Sequence, residues 1–188
     1  MNKPVFYDTD CLESFLFVGA GYILEKLFSK IIIPEQVYNE LTDKSTPPFV
    51  KTNFKNLKKE FVEIREITLA SQEYTTYKLI EKGFWSETGK VCGSGESAAM
   101  ALAHLNNGIV ASNNLSDVEE YIESLDIELI TSSMILTKAV EKNIVTEDAA
   151  NGLWKGMVKE GIGLPKDSFS EYYEELYEID CERFLKGE

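Results

Sequence analysis

The chain has 188 residues, 44% of them apolar and 27% charged, and a formal net charge of −13. That is ample material for one soluble globular domain with a sizeable core, and it excludes holding nucleic acid by a broad basic surface, which needs clustered Lys and Arg. The apolar run over residues 15–24 is too short to span a membrane. Asp8, Asp10 and Glu13 precede it where a signal peptide would be basic, so a cytoplasmic protein without a membrane partner is expected. Cys11, Cys92 and Cys181 form no CxxC pair and read as free thiols rather than a zinc site.

Taken in order, strand-like and helix-like signals alternate. Val5-Phe6-Tyr7 is a short apolar strand ending in Asp8-Thr9-Asp10. Residues 12–28 carry a mostly apolar helical pattern, dense enough to be largely buried. Ile31-Ile32-Ile33 is a second buried strand, stopped by Pro34, which suits the first turn of a helix over 37–41 that carries Glu40. A loop with two prolines covers 42–48. A helix through Phe54, Leu57 and Phe61 and a strand over 62–67 follow. Ser71 caps a helix to Glu81, ended by Gly83, and a polar loop spans 85–91.

Residues 92–103 are a tight loop opening a small-residue helix, with Ser94 as N-cap and Glu96 in the first turn. The positive end of that helix favours an ionised Glu96. Ile109-Val110-Ala111 is a short buried strand followed by a polar turn bearing Asp117. A helix over 118–125, a strand over 127–130, a helix capped by Ser132 and another started by Thr146 continue the pattern. A Gly- and Pro-containing break at 161–165 precedes an acidic, aromatic final helix. Residues 167–188 hold eight acids against Arg183 and Lys186. Such alternation argues for a parallel sheet covered on both faces. Right-handed crossovers then leave Asp8, Glu96 and Asp117 along its carboxyl edge, where open α/β sheets bind ligands.

Asp8, Glu40, Glu96 and Asp117 all sit at strand ends or helix starts. Carboxylates converging in one cleft repel, so their role would be to hold a hard cation through oxygen ligands. Magnesium or manganese there can lower the pKa of a bound water and stabilise in-line attack on a phosphodiester. Any one of these acids alone would pass for a solvated surface residue. Thr9, Ser112 and Asn114 read either as hydrogen-bonding support for that site or as ordinary strand-end caps, and Asp10 as support or as a turn residue. Lys51, Lys55, Lys58 and Lys59 are the one concentration of positive charge, with helical spacing that puts most of them on one side: a solvated face, or a contact for a phosphate backbone. His104, Trp85 and Trp154 read as structural.

These motifs resemble the PIN-domain nucleases. Tyr7-Asp8-Thr9-Asp10-Cys11-Leu12 is similar to that family's opening motif, and residues 31–41, with Pro34 and Glu40, to its second. Gly95-Glu96-Ser97-Ala98 resembles the third, and Ala111-Ser112-Asn113-Asn114-Leu115-Ser116-Asp117 the fourth as found in VapC-type toxins. Residues 129–139 and Gly161-Ile162-Gly163-Leu164-Pro165 resemble a prokaryotic PIN-like subgroup. That subgroup has two adjacent aspartates where this chain has Asn113-Asn114, which leaves Asp117 as the fourth acid.

The resemblance implies a three-layer α/β/α domain over residues 1–165 with a parallel sheet in the order 3-2-1-4-5, and an acidic helical extension over 166–188. It implies a Mg2+- or Mn2+-dependent ribonuclease that hydrolyses phosphodiesters with metal-activated water, often the toxin of a toxin–antitoxin pair. Asp8, Glu40, Glu96 and Asp117 would be its metal-binding and catalytic residues. RNA would be the substrate, with a cognate antitoxin and a second copy of the chain as candidate partners. Two other readings stay open. Asn113-Asn114 suits a PIN-like protein that has lost catalysis and binds protein or nucleic acid. Asp8-Thr9-Asp10 after a strand also suits a phosphatase of the haloacid dehalogenase type, with Asp8 as nucleophile and Asp10 as general acid.

Overall fold

The computed structural model describes residues 3–186. Five strands form one sheet: β1 (Val5–Tyr7), β2 (Ile31–Pro34), β3 (Val62–Arg65), β4 (Ile109–Ala111) and β5 (Glu128–Ile130). Their order is β3-β2-β1-β4-β5 and every pairing is parallel, with Phe6 opposite Ile32 on one side and Val110 on the other. β1, β2 and β4 are buried along their whole length. They are continuous apolar runs because helices cover both faces, as parallel sheets require. β3 is an edge, shorter than the 62–67 run suggested, and its Glu63 and Arg65 pair with each other, so the exposed edge carries charge. At the other edge Glu128 is 4% exposed, and Lys3 Nζ and the Lys186 backbone N–H donate to it at 2.8 and 2.7 Å. A buried carboxylate needs such partners.

The helices are α1 (Thr9–Phe17), α2 (Gly21–Leu27), α3 (Glu35–Thr42), α4 (Pro48–Asn56), α5 (Gln72–Glu81) and α6 (Ser94–Leu105). They continue with α7 (Leu115–Ser124), α8 (Ser132–Glu141), α9 (Glu147–Lys159), α10 (Phe169–Glu175) and α11 (Tyr177–Phe184). The sheet with its two helical layers is the three-layer α/β/α arrangement expected. The small-residue helix α6 lies against β1, β2 and β4 and carries α5 on its outer side. Its alanines allow that close approach, and Ala98, Ala99, Ala101 and Ala103 are all at most 1% exposed. α8 packs with α1, α2, α9 and α11. No helix among the described residues is long and apolar enough to cross a membrane.

Several elements differ from the sequence reading. The single helix expected over 12–28 is two, because Gly19 takes φ +65° and the chain turns there, with Ala20 N–H donating to Phe15 O at 2.8 Å. α4 stops at Asn56, so Leu57 and Phe61 lie beyond it although both are buried. Gly93, not Ser94, is the N-cap of α6, and the Ser94 hydroxyl instead pairs with Tyr77 Oη at 2.8 Å. Thr131, not Ser132, caps α8, its hydroxyl accepting from Met134 N–H at 3.2 Å. Asp117 lies in the first turn of α7 rather than before it. The final helix breaks at Leu176 into α10 and α11, and Tyr172 and Tyr173 meet Tyr177 across that corner.

Candidate active site

Asp8 is where β1 ends and α1 begins. It is the N-cap of α1, its Oδ1 accepting from Cys11 N–H at 2.9 Å. The side chain is 1% exposed, and Oδ2 is buried with no hydrogen-bond partner among the described residues. Burial pushes its pKa up to about 8, offset in part by the Ser112 hydroxyl and the Cys11 N–H and reinforced by the Asp10 and Glu96 charges. An orphaned carboxylate oxygen at such depth is costly in the protein as it stands.

Four more groups meet Asp8. Thr9, Asp10, Glu40 and Glu96 line the same cavity, of about 50 Å³. Glu40 comes from α3, and the Thr9 hydroxyl donates to its carboxylate. Glu96 comes from the first turn of α6, and burial first, then Asp10 and Asp117, hold its carboxyl above the usual range. Asp10, at the mouth, is raised by burial and by Asp117. Two glycines make room. A Cβ on Gly93 would stand 2.1 Å from Glu96 Oε2, and one on Gly95 would stand 3.0 Å from Glu40 Oε2. Glycine is needed there for space, since both carboxylates fold against the backbone that opens α6.

Asp117 does not line this cavity. Its carboxylate is held by Lys90 Nζ at 3.0 Å, by Asn114 Nδ2 at 2.7 Å and by the Ser116 hydroxyl at 3.3 Å. Lys90 holds its pKa below the usual carboxylate value, with Asn114 and Ser116 assisting. The link to the cavity is Asn114, whose Nδ2 also donates to Glu96 Oε1 at 3.1 Å. The Ser112 hydroxyl, fully buried, accepts from the Asn114 backbone N–H at 3.2 Å. Asn113 points elsewhere. Its Oδ1 accepts from the Ser132 N–H and hydroxyl, both at 2.9 Å, and its Nδ2 donates to Ser14 Oγ at 2.9 Å, tying α8 to α1.

Among the described residues, no three His, Cys, Asp or Glu side chains close on a common metal position. The donors nevertheless suit a hard cation. They are all oxygens, one of them is orphaned, and the cavity has room for an ion with a little water. The nearby Cys92 is no competing soft ligand: burial and the Glu96 charge push its thiol up to about 12, and its Sγ–H donates to Asp117 O at 3.1 Å.

The four lysines do not form one helical face. Lys51 and Lys55 lie one turn apart on α4, whereas Lys58 and Lys59 follow its end. Lys58 is also engaged, its backbone N–H donating to Glu25 Oε1 at 2.8 Å with its ammonium 3.8 Å from the same carboxylate. His104 and Trp154 are structural: His104 Nδ1 bonds Leu125 O at 2.8 Å, and the buried Trp154 donates to Lys166 O at 3.0 Å. Two residues near the acids escaped the sequence reading. Glu13, one turn after Asp10, has its carboxyl raised by burial and by Asp10 and Glu40; the i, i+3 spacing from Asp10 was the available signal. Lys90 had none, because its loop meets Asp117 only through the fold.

A family model described as a PIN domain matches residues 4–178. No curated protein matches the chain.

Proposed function

The chain belongs to the PIN-domain family, a nuclease-type fold that is typically metal-dependent, and on that footing we propose that it is a Mg2+- or Mn2+-dependent ribonuclease. The observation that carries this reading is the orphaned Asp8 Oδ2 inside a cavity walled by Asp10, Glu40 and Glu96. Asp8, Glu96, Glu40 and Asp10 would hold the cation, and Thr9 would orient Glu40. A bound cation would supply Lewis acidity and neutralise charge on the phosphoryl oxygens. Asn114 and Ser112 would fix the carboxylate geometry from behind, the role that outer hydrogen-bond partners play at metal sites. Lys90 brings a positive charge to the same edge beside Asp117. The Asp8 carboxyl, with a pKa near 8, must give up its proton when the cation binds.

The experiment is cleavage of single-stranded RNA by the purified chain with magnesium or manganese, with and without chelator, and with Asp8→Asn as control. Metal-dependent cleavage lost in the variant supports the reading; no cleavage with either metal removes it. A toxin role, with an antitoxin protein as partner, belongs to the same proposal and is tested by growth arrest on expression. The Asp117 carboxylate, held outside the cavity by Lys90, favours a second reading in which the chain binds without cutting. RNA binding without cleavage would select it.

A further inference from the structure

A second cavity, of about 360 Å³, lies on the other side of Asn114. It opens where α7 and α8 begin and is closed by residues 163–165 and by α11. Asn114 forms part of its wall while its amide nitrogen holds Asp117 and Glu96, and Glu96 lines the acidic cavity, so this side chain links the two sites. Leu115, Leu164, Pro165 and Leu176 give it an apolar lining. Asn113, Asn114, Ser116, Thr131, Ser133 and Asp180 supply its polar groups. Ser133 is 2% exposed and lines the cavity. Asp180 accepts from Tyr172 Oη on Oδ2 at 2.8 Å, which leaves Oδ1 for a guest.

This lining decides what can enter. Among the described residues no Lys or Arg lines the cavity, so a phosphate there would face Asp180 without a lining cation to offset the repulsion. An uncharged group with a flat apolar face and N–H donors on its edge meets every feature. Apolar walls with a few fixed polar groups are the usual make-up of such a pocket. We propose that this cavity is a nucleobase subsite that holds a base of the RNA next to the phosphodiester entering the acidic cavity. This rests on the nuclease reading for the identity of the neighbouring site. Guanine is the favoured base: its ring N1–H and exocyclic N–H lie side by side and can both donate to the one free Asp180 oxygen, Oδ1, while O6 accepts from the Ser133 hydroxyl. Adenine, cytosine and uracil lack that adjacent pair of donors.

The test uses the full chain and nucleosides, which carry no phosphate and so report the subsite alone. Guanosine, adenosine, cytidine and uridine are titrated in chelator at millimolar concentration, followed by calorimetry and thermal shift. Guanosine should bind at least about tenfold more tightly than the others, as an additional hydrogen bond to a charged acceptor allows. Asp180→Asn should remove that preference, and Ser133→Ala should weaken guanosine several-fold, while both keep the thermal shift with magnesium. Circular dichroism checks that each variant folds, and either variant alone suffices. No nucleoside binding, or equal guanosine binding by wild type and both variants, overturns the subsite. RNA cleavage without base preference together with absent nucleoside binding removes the subsite and leaves the nuclease reading standing. Nucleoside binding without metal-dependent cleavage does the reverse.

Discussion

Asn114 donates its side-chain N–H to Asp117 at 2.7 Å, and the same nitrogen reaches Glu96 at 3.1 Å. One neutral amide thus fixes two carboxylates that come from different helices. Asn114→Ala should leave Glu96 unsupported and lower metal affinity and cleavage by about 10–100-fold. Metal titration by calorimetry beside a cleavage assay checks this, and an unchanged affinity would remove Asn114 from the site. Asn113→Asp is the contrasting variant. It keeps both acceptor bonds from Ser132, loses the donation to Ser14, and should leave cleavage as it was. If Asn113→Asp instead switches on an inert protein, the non-catalytic reading takes first place.

Asp8 makes metal-free stability depend on pH. Its folded pKa of about 8 lies above the ordinary value near 4, so the folded chain keeps a proton that the unfolded chain has lost. The stability this gives is fully present below about pH 4 and is lost as pH rises through about 8. Asp10 and Glu96 are raised as well and act in the same direction. Melting temperature measured in chelator should therefore fall across that range, and Asp8→Asn should flatten the fall and melt higher at pH 8 while cutting cleavage to background. A flat profile in the wild-type protein would contradict the buried, orphaned carboxylate.

Magnesium or manganese should raise the melting temperature at pH 7–8, because only the folded chain assembles the acids. Binding should release protons, which calorimetry in buffers of different ionisation enthalpy detects. Asp8→Asn should lose most of this shift. An equal shift in wild type and variant would place the cation elsewhere.

Asp117 should behave differently from Asp8. Its carboxyl is held low by Lys90, so the pair stabilises the fold above the ordinary carboxylate range and is lost as pH falls through the depressed value. Both side chains are about a third exposed, so Asp117→Asn should cost under about 1 kcal/mol. It should slow cleavage by about 10–100-fold through Asn114 and Glu96, less than Asp8→Asn does. Background activity in Asp117→Asn equal to that of Asp8→Asn would make it a direct ligand.

Among the basic residues, Lys51 and Lys55 share a helix and Lys58 is tied to Glu25. Lys51→Gln with Lys55→Gln should reduce the salt slope of RNA binding by about 1–2, leaving the metal-induced shift intact. Replacing Lys58 and Lys59 should change the slope less. Equal effects from the two pairs would mean that they share one surface after all.

The sequence by itself determined the sheet, its parallel sense and the places of the first three acids. Period and punctuation carry that information: an apolar triplet ending in Asp8, another stopped by Pro34 before Glu40, and a glycine-opened helix with Glu96 all lie within a few residues of the turn that aims them. The helix breaks were less legible. Gly19 was visible, but glycine permits a left-handed turn without requiring it, and the packing of α1 and α2 chose it. The N-caps slid by one residue at Gly93 and Thr131 because serine can serve as cap or first helical residue, and its neighbours decide. Only the tertiary structure decided which groups meet across the chain. Lys90 neutralises Asp117, Asn113 turns to α8 while Asn114 turns to the acids, and Asp180 comes to the wall of the second cavity. Residues so far apart in sequence share no period or local signal, and burial and electrostatics act on them only after the crossovers have brought them together.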